Sequence, residues 1–197
     1  MHYGKYVAYY MHNIFFFDQH PPLGKQLIAG ALSFTGYNSN FSFPHVGAKY
    51  DENIPIFWMR LIPALCGSLL APCTYKLLLQ AKVNRWMALL GGLLVVFDNA
   101  LLTQSRFILM ESMLLLFSCL GLYFLLRFHS SCFGSAQWLV CGLTAALFFT
   151  FATSVKYVGF LSACLGGYLL CRYMWDLLYD GKITNAQLLW QTACRVV

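Results

Sequence analysis

The sequence predicts an all-α membrane protein, a polytopic helical bundle, and its composition carries that prediction. Of the 197 residues, 59% are hydrophobic and only 10% are charged, whereas a soluble domain carries about 25% charged residues. So few charges cannot cover a water-facing surface. The composition therefore excludes a soluble globular domain, a disordered chain and a coiled coil. Because one span needs about 20 apolar residues, a chain of this length has room for about five or six spans.

The net charge of +6 and the eight cysteines fit this class of protein. The basic residues are scattered singly without a basic run, which is typical of residues flanking membrane spans, so we predict no nucleic-acid partner. The cysteines lie mostly inside apolar segments and form no CxxC pair, which indicates buried free thiols. The N-terminal histidines lack the spacing of metal ligands, so we also predict no metal site.

Residues 1–53 are the polar, aromatic-rich part of the chain. Helical spacing of aromatic and apolar residues predicts an amphipathic helix over 5–17. Proline favours the first turn of a helix, so a second helix is predicted from Pro22 to about Gly36. It is too short to span a membrane and should lie at the interface. The loop that follows contains an N-glycosylation sequon at Asn40, which favours a luminal location.

Five apolar stretches follow, and each predicts a membrane span. They lie near 54–78, 86–102, 107–126, 137–153 and 157–175. The connector with Lys82 and Arg85 is cytosolic by the positive-inside rule, which places residues 1–53 in the lumen. We therefore expect a five-span core over 54–176 and a cytosolic connector over 177–197 that leads toward a further span.

Charged residues inside this apolar sequence are the candidate functional residues. An ionisable group in a membrane costs several kcal/mol unless it is paired or hydrated. The predicted topology places Arg60, Asp98, Arg106, Glu111 and Lys156 near one membrane face. Arginine binds phosphate bidentately and lysine adds a point charge, so these residues could bind an anionic ligand. The alternative is that the charges pair with one another and only stabilise the bundle.

Five runs resemble a known family, in this order: FFFDQHPPLGKQLIAG, GYNSNFSF, MRLIPALCGSLLAP, FDNALLTQSRFILMESMLL and SVKYVGF. Over about residues 1–176 the chain is similar to the membrane core of the protein O-mannosyltransferases. These enzymes are also called dolichyl-phosphate-mannose–protein mannosyltransferases.

The resemblance implies a GT-C fold and a multi-pass protein of the endoplasmic reticulum membrane with a luminal active site. It implies transfer of mannose from dolichyl phosphate mannose to a Ser or Thr hydroxyl of a secretory-pathway protein. No cofactor is implied beyond this lipid donor. The expected partners are the lipid-linked donor, the acceptor protein and a paralogous mannosyltransferase in a heterodimer.

The resemblance also implies a set of site residues. Matched motif by motif, the residues expected to bind the donor phosphate or the substrate are Asp18, His20, Lys25, Arg60, Arg106, Glu111 and Lys156. Among them, Arg60 matches the arginine of the MRLIP segment and is assigned to the donor phosphate.

One departure from the family pattern concerns catalysis. The family has an Asp-Glu pair directly before a motif whose tail matches the opening run MHYGK, and its Asp is the expected base. The sequence begins just after that pair, so the catalytic residues are unknown here. We expect a fragment that is inactive on its own. The alternatives are another lipid-phosphate-sugar glycosyltransferase, or a non-catalytic membrane subunit or transporter.

Overall fold

The computed structural model describes residues 2–37, 54–132 and 134–179. All regular structure in these ranges is helical, as the sequence predicts. The elements are α1 His2–Met11, α2 Leu23–Ser33, α3 Ile56–Gln80, α4 Arg85–Phe97, α5 Asn99–Arg106, α6 Glu111–Ser130, α7 Ala136–Val155, a 3-10 turn Tyr157–Gly159 and α8 Phe160–Tyr179.

Three of the described helices are long and apolar enough to cross a membrane, namely α3, α6 and α7. The bent pair of α4 and α5 makes a fourth if it counts as one span. The fifth predicted stretch is helical, and the 20 residues of α8 reach about 30 Å at 1.5 Å per residue. Helix α8 also carries two charged residues, Arg172 and Asp176, in its second half. By length and apolarity, three or four of the described helices are candidate spans, and the five-span core stays a prediction.

The predicted span over 86–102 and the turn over 103–106 are wrong in their details. Helix α4 ends at Phe97, and α5 begins after it at an angle of 53°. The break lies at Asp98, whose backbone is extended and whose carboxylate accepts a hydrogen bond from the Leu101 N–H at 2.8 Å. Aspartate is among the best N-cap residues, so it starts a new helix where the hydropathy pattern predicts a continuous one.

The two N-terminal helices are present, with shorter bounds than predicted. Helix α1 ends at Met11 rather than near residue 17, because the chain turns at Asn13 with a positive φ of 54°. Helix α2 starts after Pro22 as predicted and ends at Ser33. The sequon at Asn40 lies outside the described residues, as does most of the predicted C-terminal connector.

Helices α3 and α6 form the centre of the bundle and run in the same direction. At one end, the Gln80 side chain donates a hydrogen bond to the Ser130 hydroxyl at 3.0 Å. Helix α7 packs antiparallel against α6, and the Phe128 and Trp138 rings stack with centroids 5.0 Å apart. The start of α3, the start of α6 and the end of α7 therefore meet at the opposite end, which we call the site end.

Helix α2 lies across the site end and packs on α3 and α7. Its close approach depends on Gly24, because a Cβ added there would lie 2.7 Å from Met110 Sδ and 3.3 Å from Val155 Cγ1. Met110 precedes α6 and Val155 ends α7, and both are fully buried. The short helix is thereby seated on the ends of two longer ones.

Candidate functional site

An ion pair joins two membrane helices at the site end. Lys156 Nζ lies 2.5 Å from Glu111 Oε1, and the two side chains are 16% and 26% exposed. Glu111 is the first residue of α6, and Lys156 directly follows α7. The helix dipoles favour an anion at a helix start and a cation at a helix end, so both charges sit where their helices stabilise them.

The position of Lys156 is fixed by the tight 3-10 turn that follows it in the chain. Gly159, in the 3-10 turn, lies against the α7 backbone, and a Cβ added there would be 2.3 Å from the Ala152 carbonyl oxygen. Backbone atoms cannot move aside cheaply, so this close approach requires glycine. The turn therefore holds the lysine at the end of α7, facing the start of α6.

Two polar atoms at the site end lack hydrogen-bond partners among the described residues. They are Oε2 of Glu111, the oxygen that Lys156 does not contact, and Nε of Arg60. Both atoms are shielded from solvent. An unsatisfied buried polar group costs about 1–3 kcal/mol, more when it is charged, so these two atoms are the groups at the site end that gain most from a hydrogen-bond partner.

Arg60 lies at the site end because the residue before it, Met59, is anchored in the core there. Met59 is 2% exposed and belongs to a buried cluster that also contains Met110 and Val155. Each of these three core residues directly precedes a charged one: Arg60, Glu111 and Lys156 respectively. The three charged residues therefore each adjoin one packed cluster, and two of them, Glu111 and Lys156, are in contact.

Lys25 is placed differently from the other basic candidates, because it is completely buried. Its ammonium group forms an ion pair with Asp18, donates to the His20 carbonyl at 3.1 Å and lies 5.4 Å from the centre of the Tyr6 ring. The His20 N–H in turn donates to the other Asp18 oxygen at 3.3 Å. Burial lowers the pKa of Lys25 to about 8. These contacts fasten the segment before α2 and leave the lysine turned inward.

Arg106 is the most exposed of the basic candidates. It is exposed in the last turn of α5 and has no ion pair among the residues described. Its neighbour Ser105 packs on Gly67, where an added Cβ would lie 2.4 Å from Ser105 Cβ. Gly67 lies seven residues after Arg60, which is about 10 Å further along α3.

Three residues that build the site end were not predicted from the sequence. They are Tyr6, which covers the Lys25 ammonium, and Gly24 and Gly159, which allow the close approaches described above. The position of Gly24 directly before a charged residue in a proline-capped helix was the available signal. Across the described part of the chain, no three His, Cys, Asp or Glu side chains cluster closely enough to hold a metal ion.

Comparisons with known proteins give a consistent result. A family model described as dolichyl-phosphate-mannose-protein mannosyltransferase matches residues 1–197. The chain is 63% identical, over 95% of its length, to Protein O-mannosyltransferase 1 of Drosophila pseudoobscura pseudoobscura, and covers 21% of that protein. It is 34% identical, over 94% of its length, to Protein O-mannosyl-transferase 1 of Homo sapiens, and covers 25% of it. The chain thus spans about a fifth to a quarter of these relatives.

A solved structure shares the fold. The chain superposes with a TM-score of 0.93 and 26% identity on the Saccharomyces cerevisiae protein O-mannosyltransferase Pmt1-Pmt2 complex bound to the sugar donor. The match covers 99% of this chain and 27% of that chain. The predicted helical membrane bundle is confirmed by this similarity and by the described helices.

Proposed function

Since this chain belongs to the dolichyl-phosphate-mannose-protein mannosyltransferase family, we propose that it forms part of an enzyme that mannosylates proteins. The donor would be dolichyl phosphate mannose and the acceptor a Ser or Thr hydroxyl of a secretory-pathway protein. The enzyme would be a multi-pass protein of the endoplasmic reticulum membrane. The site end would face the lumen.

The observation that supports this proposal is the grouping of Arg60, Glu111 and Lys156 around one buried cluster. The grouping lies at one end of an apolar bundle, and two shielded polar atoms there have no hydrogen-bond partner in the described ranges. A lipid-linked phosphosugar fits such a site, because its phosphate is anionic, its sugar carries hydroxyls and its tail is apolar. Two cations and one acid near the membrane edge supply the matching groups.

The chemistry of mannose transfer gives each of these charged residues a possible role. When the bond between mannose C1 and the phosphate oxygen breaks, the departing dolichyl phosphate gains negative charge. Arg60 would bind that phosphate through its guanidinium, and Lys156 would add a second positive charge. Oε2 of Glu111, which accepts no hydrogen bond from the residues that the structure describes, would accept one from a mannose hydroxyl or from Arg60. Glu111 also holds Lys156 in place through its other oxygen.

Asp18, His20 and Lys25 would position the site rather than touch the donor. The Lys25 ammonium is already engaged by Asp18, by the His20 carbonyl and by Tyr6, so it has little capacity left for a phosphate. Asp18 is correspondingly poorly suited to take the acceptor proton. The base therefore stays unassigned, and the expectation that this chain alone does not transfer mannose stays a prediction. A role for Arg106 in donor binding also stays a prediction.

The Pmt1-Pmt2 complex further suggests how the chain assembles. We propose that the protein pairs with a paralogous mannosyltransferase. Co-purification of differently tagged paralogues from one membrane preparation tests this pairing.

Donor binding tests the site, because it does not depend on the catalytic base. Microsomes containing the chain are incubated with radiolabelled dolichyl phosphate mannose, and bound label is measured for wild type, Arg60→Ala, Arg60→Lys and Arg85→Ala. Loss of a charged hydrogen-bond donor is worth about 1.5–3 kcal/mol, so Arg60→Ala should weaken binding about tenfold or more. Arg60→Lys keeps the charge without the bidentate geometry, so its affinity for the donor should lie between those of wild type and Arg60→Ala.

The matched control is Arg85→Ala, since Arg85 is an exposed arginine that starts α4 at the other end of the bundle. It should bind donor like wild type. Equal binding by wild type and Arg60→Ala, at equal expression, would remove Arg60 from the site. Equally strong competition by unlabelled dolichyl phosphate glucose would instead favour another lipid-phosphate-sugar glycosyltransferase.

A further inference from the structure

A cavity of about 240 Å³ lies beside the break between α4 and α5. Its wall is built by side chains of four helices, α3, α4, α5 and α6. Most of the lining side chains are apolar, and three carry hydroxyls: Ser68, Ser105 and Ser112. A dry apolar cavity of about 150 Å³ is enough to bind benzene, so this space can hold part of a hydrocarbon chain.

The cavity opens onto the outer surface of the bundle. Val96, Leu102 and Leu115 line it and are 50%, 48% and 37% exposed. They come from α4, α5 and α6, which include candidate membrane spans. Apolar surface is stabilised by an apolar environment, so these side chains face hydrocarbon in a membrane. A lipid chain can therefore enter the cavity from the bilayer.

Ser112 gives the cavity a buried hydrogen-bond donor. The Ser68 and Ser105 hydroxyls each donate to the carbonyl three residues earlier in their own helix, at 2.9 and 2.8 Å. Ser112 is the second residue of α6, so no helical carbonyl lies at that distance before it. Its side chain is 4% exposed, and its hydroxyl forms no hydrogen bond with the residues that the structure describes. A buried hydroxyl of this kind gains from a ligand that carries an acceptor.

The charged neighbours of these serines place the hydroxyls near the edge of the membrane. Ser112 directly follows Glu111 of the ion pair, and Ser105 directly precedes the exposed Arg106. Ionisable groups are costly deeper in hydrocarbon, so they mark the level at which the apolar layer ends. In a glycerophospholipid the ester carbonyls lie at this level, between the headgroup and the acyl chains. A carbonyl oxygen accepts the hydrogen bond that a serine hydroxyl donates.

We propose that the cavity binds one acyl chain of a membrane glycerophospholipid, and that the Ser112 hydroxyl donates to the ester carbonyl of that chain. The hydrocarbon would lie along Val96, Leu102 and Leu115. The polyisoprenyl tail of a dolichyl lipid matches the site less well, because it has no carbonyl to accept this bond. The bound lipid would fill the space left by the bend between α4 and α5. It would bind whether or not the chain transfers mannose.

Competition between two lipids tests the hydrogen bond. The purified chain in mild detergent is mixed with equal amounts of dioleoylphosphatidylcholine and its diether analogue, which lacks the ester carbonyls, and bound lipid is measured by native mass spectrometry. One neutral hydrogen bond is worth about two- to tenfold in affinity, so the ester lipid should be bound in excess by that factor. Ser112→Ala should remove this preference. Ser118→Ala is the matched control and should keep it, because Ser118 lies on the same helix and donates to Ser162 at 3.1 Å.

Filling the cavity tests its role in binding the chain. Ser68→Leu places an apolar side chain at the opening and should lower the binding of both lipids, whereas Ala100→Leu, at an exposed position of α5 outside the cavity, should not. Equal binding of the ester and ether lipids by wild type would overturn the proposal, as would an ester preference that persists in Ser112→Ala. Displacement of the bound phospholipid by dolichyl phosphate would also overturn it, since the cavity would then hold the tail of the donor.

Discussion

The close contact of α2 with Met110 and Val155 at the site end can be tested by substituting Gly24. Gly24→Ala would place a Cβ 2.7 Å from Met110 Sδ, whereas atoms in good contact lie about 3.5–4.0 Å apart. The methionine sulfur must therefore withdraw by about 1 Å. Met110 and Val155 are both fully buried, so the sulfur must shift within the core and cannot swing out into solvent. Overpacking of this kind costs about 1–3 kcal/mol.

Gly30→Ala is the matched control, because Gly30 lies in the same helix and an added Cβ meets nothing within 4 Å. Each substitution gains up to about 1 kcal/mol in helix propensity, which largely cancels between the two variants. We expect Gly24→Ala to unfold with a free energy about 1–3 kcal/mol below that of Gly30→Ala.

Equilibrium unfolding by SDS titration in mixed micelles, followed by tryptophan fluorescence, measures this difference. Equal unfolding free energies for Gly24→Ala and Gly30→Ala would refute the seating of α2 on Met110 and Val155. The same measurement on both variants controls for effects of the micelle.

Two further predictions use the same titration. Lys156→Met leaves the partly buried Glu111 carboxylate without its cation, and we expect a loss of about 1–3 kcal/mol, between values for exposed and fully buried pairs. The double variant Lys156→Met/Glu111→Leu should recover most of that loss, and no recovery would mean that the ion pair does not carry the effect. Lys25 has a pKa of about 8 when folded and 10.5 as its ordinary value, so between these pH values the unfolded chain holds more protons. The Lys25 contribution to the unfolding free energy should therefore rise from pH 8 to pH 10.5, and Lys25→Met should lose that rise; identical pH profiles would contradict the buried position of Lys25.

The positions of the long helices followed from hydropathy, because a membrane imposes long apolar segments whatever the neighbours are. Proline at a helix start likewise located α2 to within a few residues. The break at Asp98 was missed, since a single capping side chain decides it and hydropathy averages over many residues.

The candidate charges were found because an ionisable residue in apolar sequence is costly and therefore conspicuous. The contact between two of these charges could not be read from the sequence. Lys156 and Glu111 are 45 residues apart, and only the antiparallel packing of α6 and α7 brings them to 2.5 Å.

The amino-acid sequence by itself determined the class of protein, the main helices and which charges needed an explanation, because these depend on composition and local pattern. Tertiary structure alone decided that Lys25 turns inward to Asp18 and that Lys156 meets Glu111. The physical reason is that contacts between distant segments depend on how helix faces interlock. A glycine such as Gly24 permits a close approach, but the local sequence does not identify the residues that it packs against.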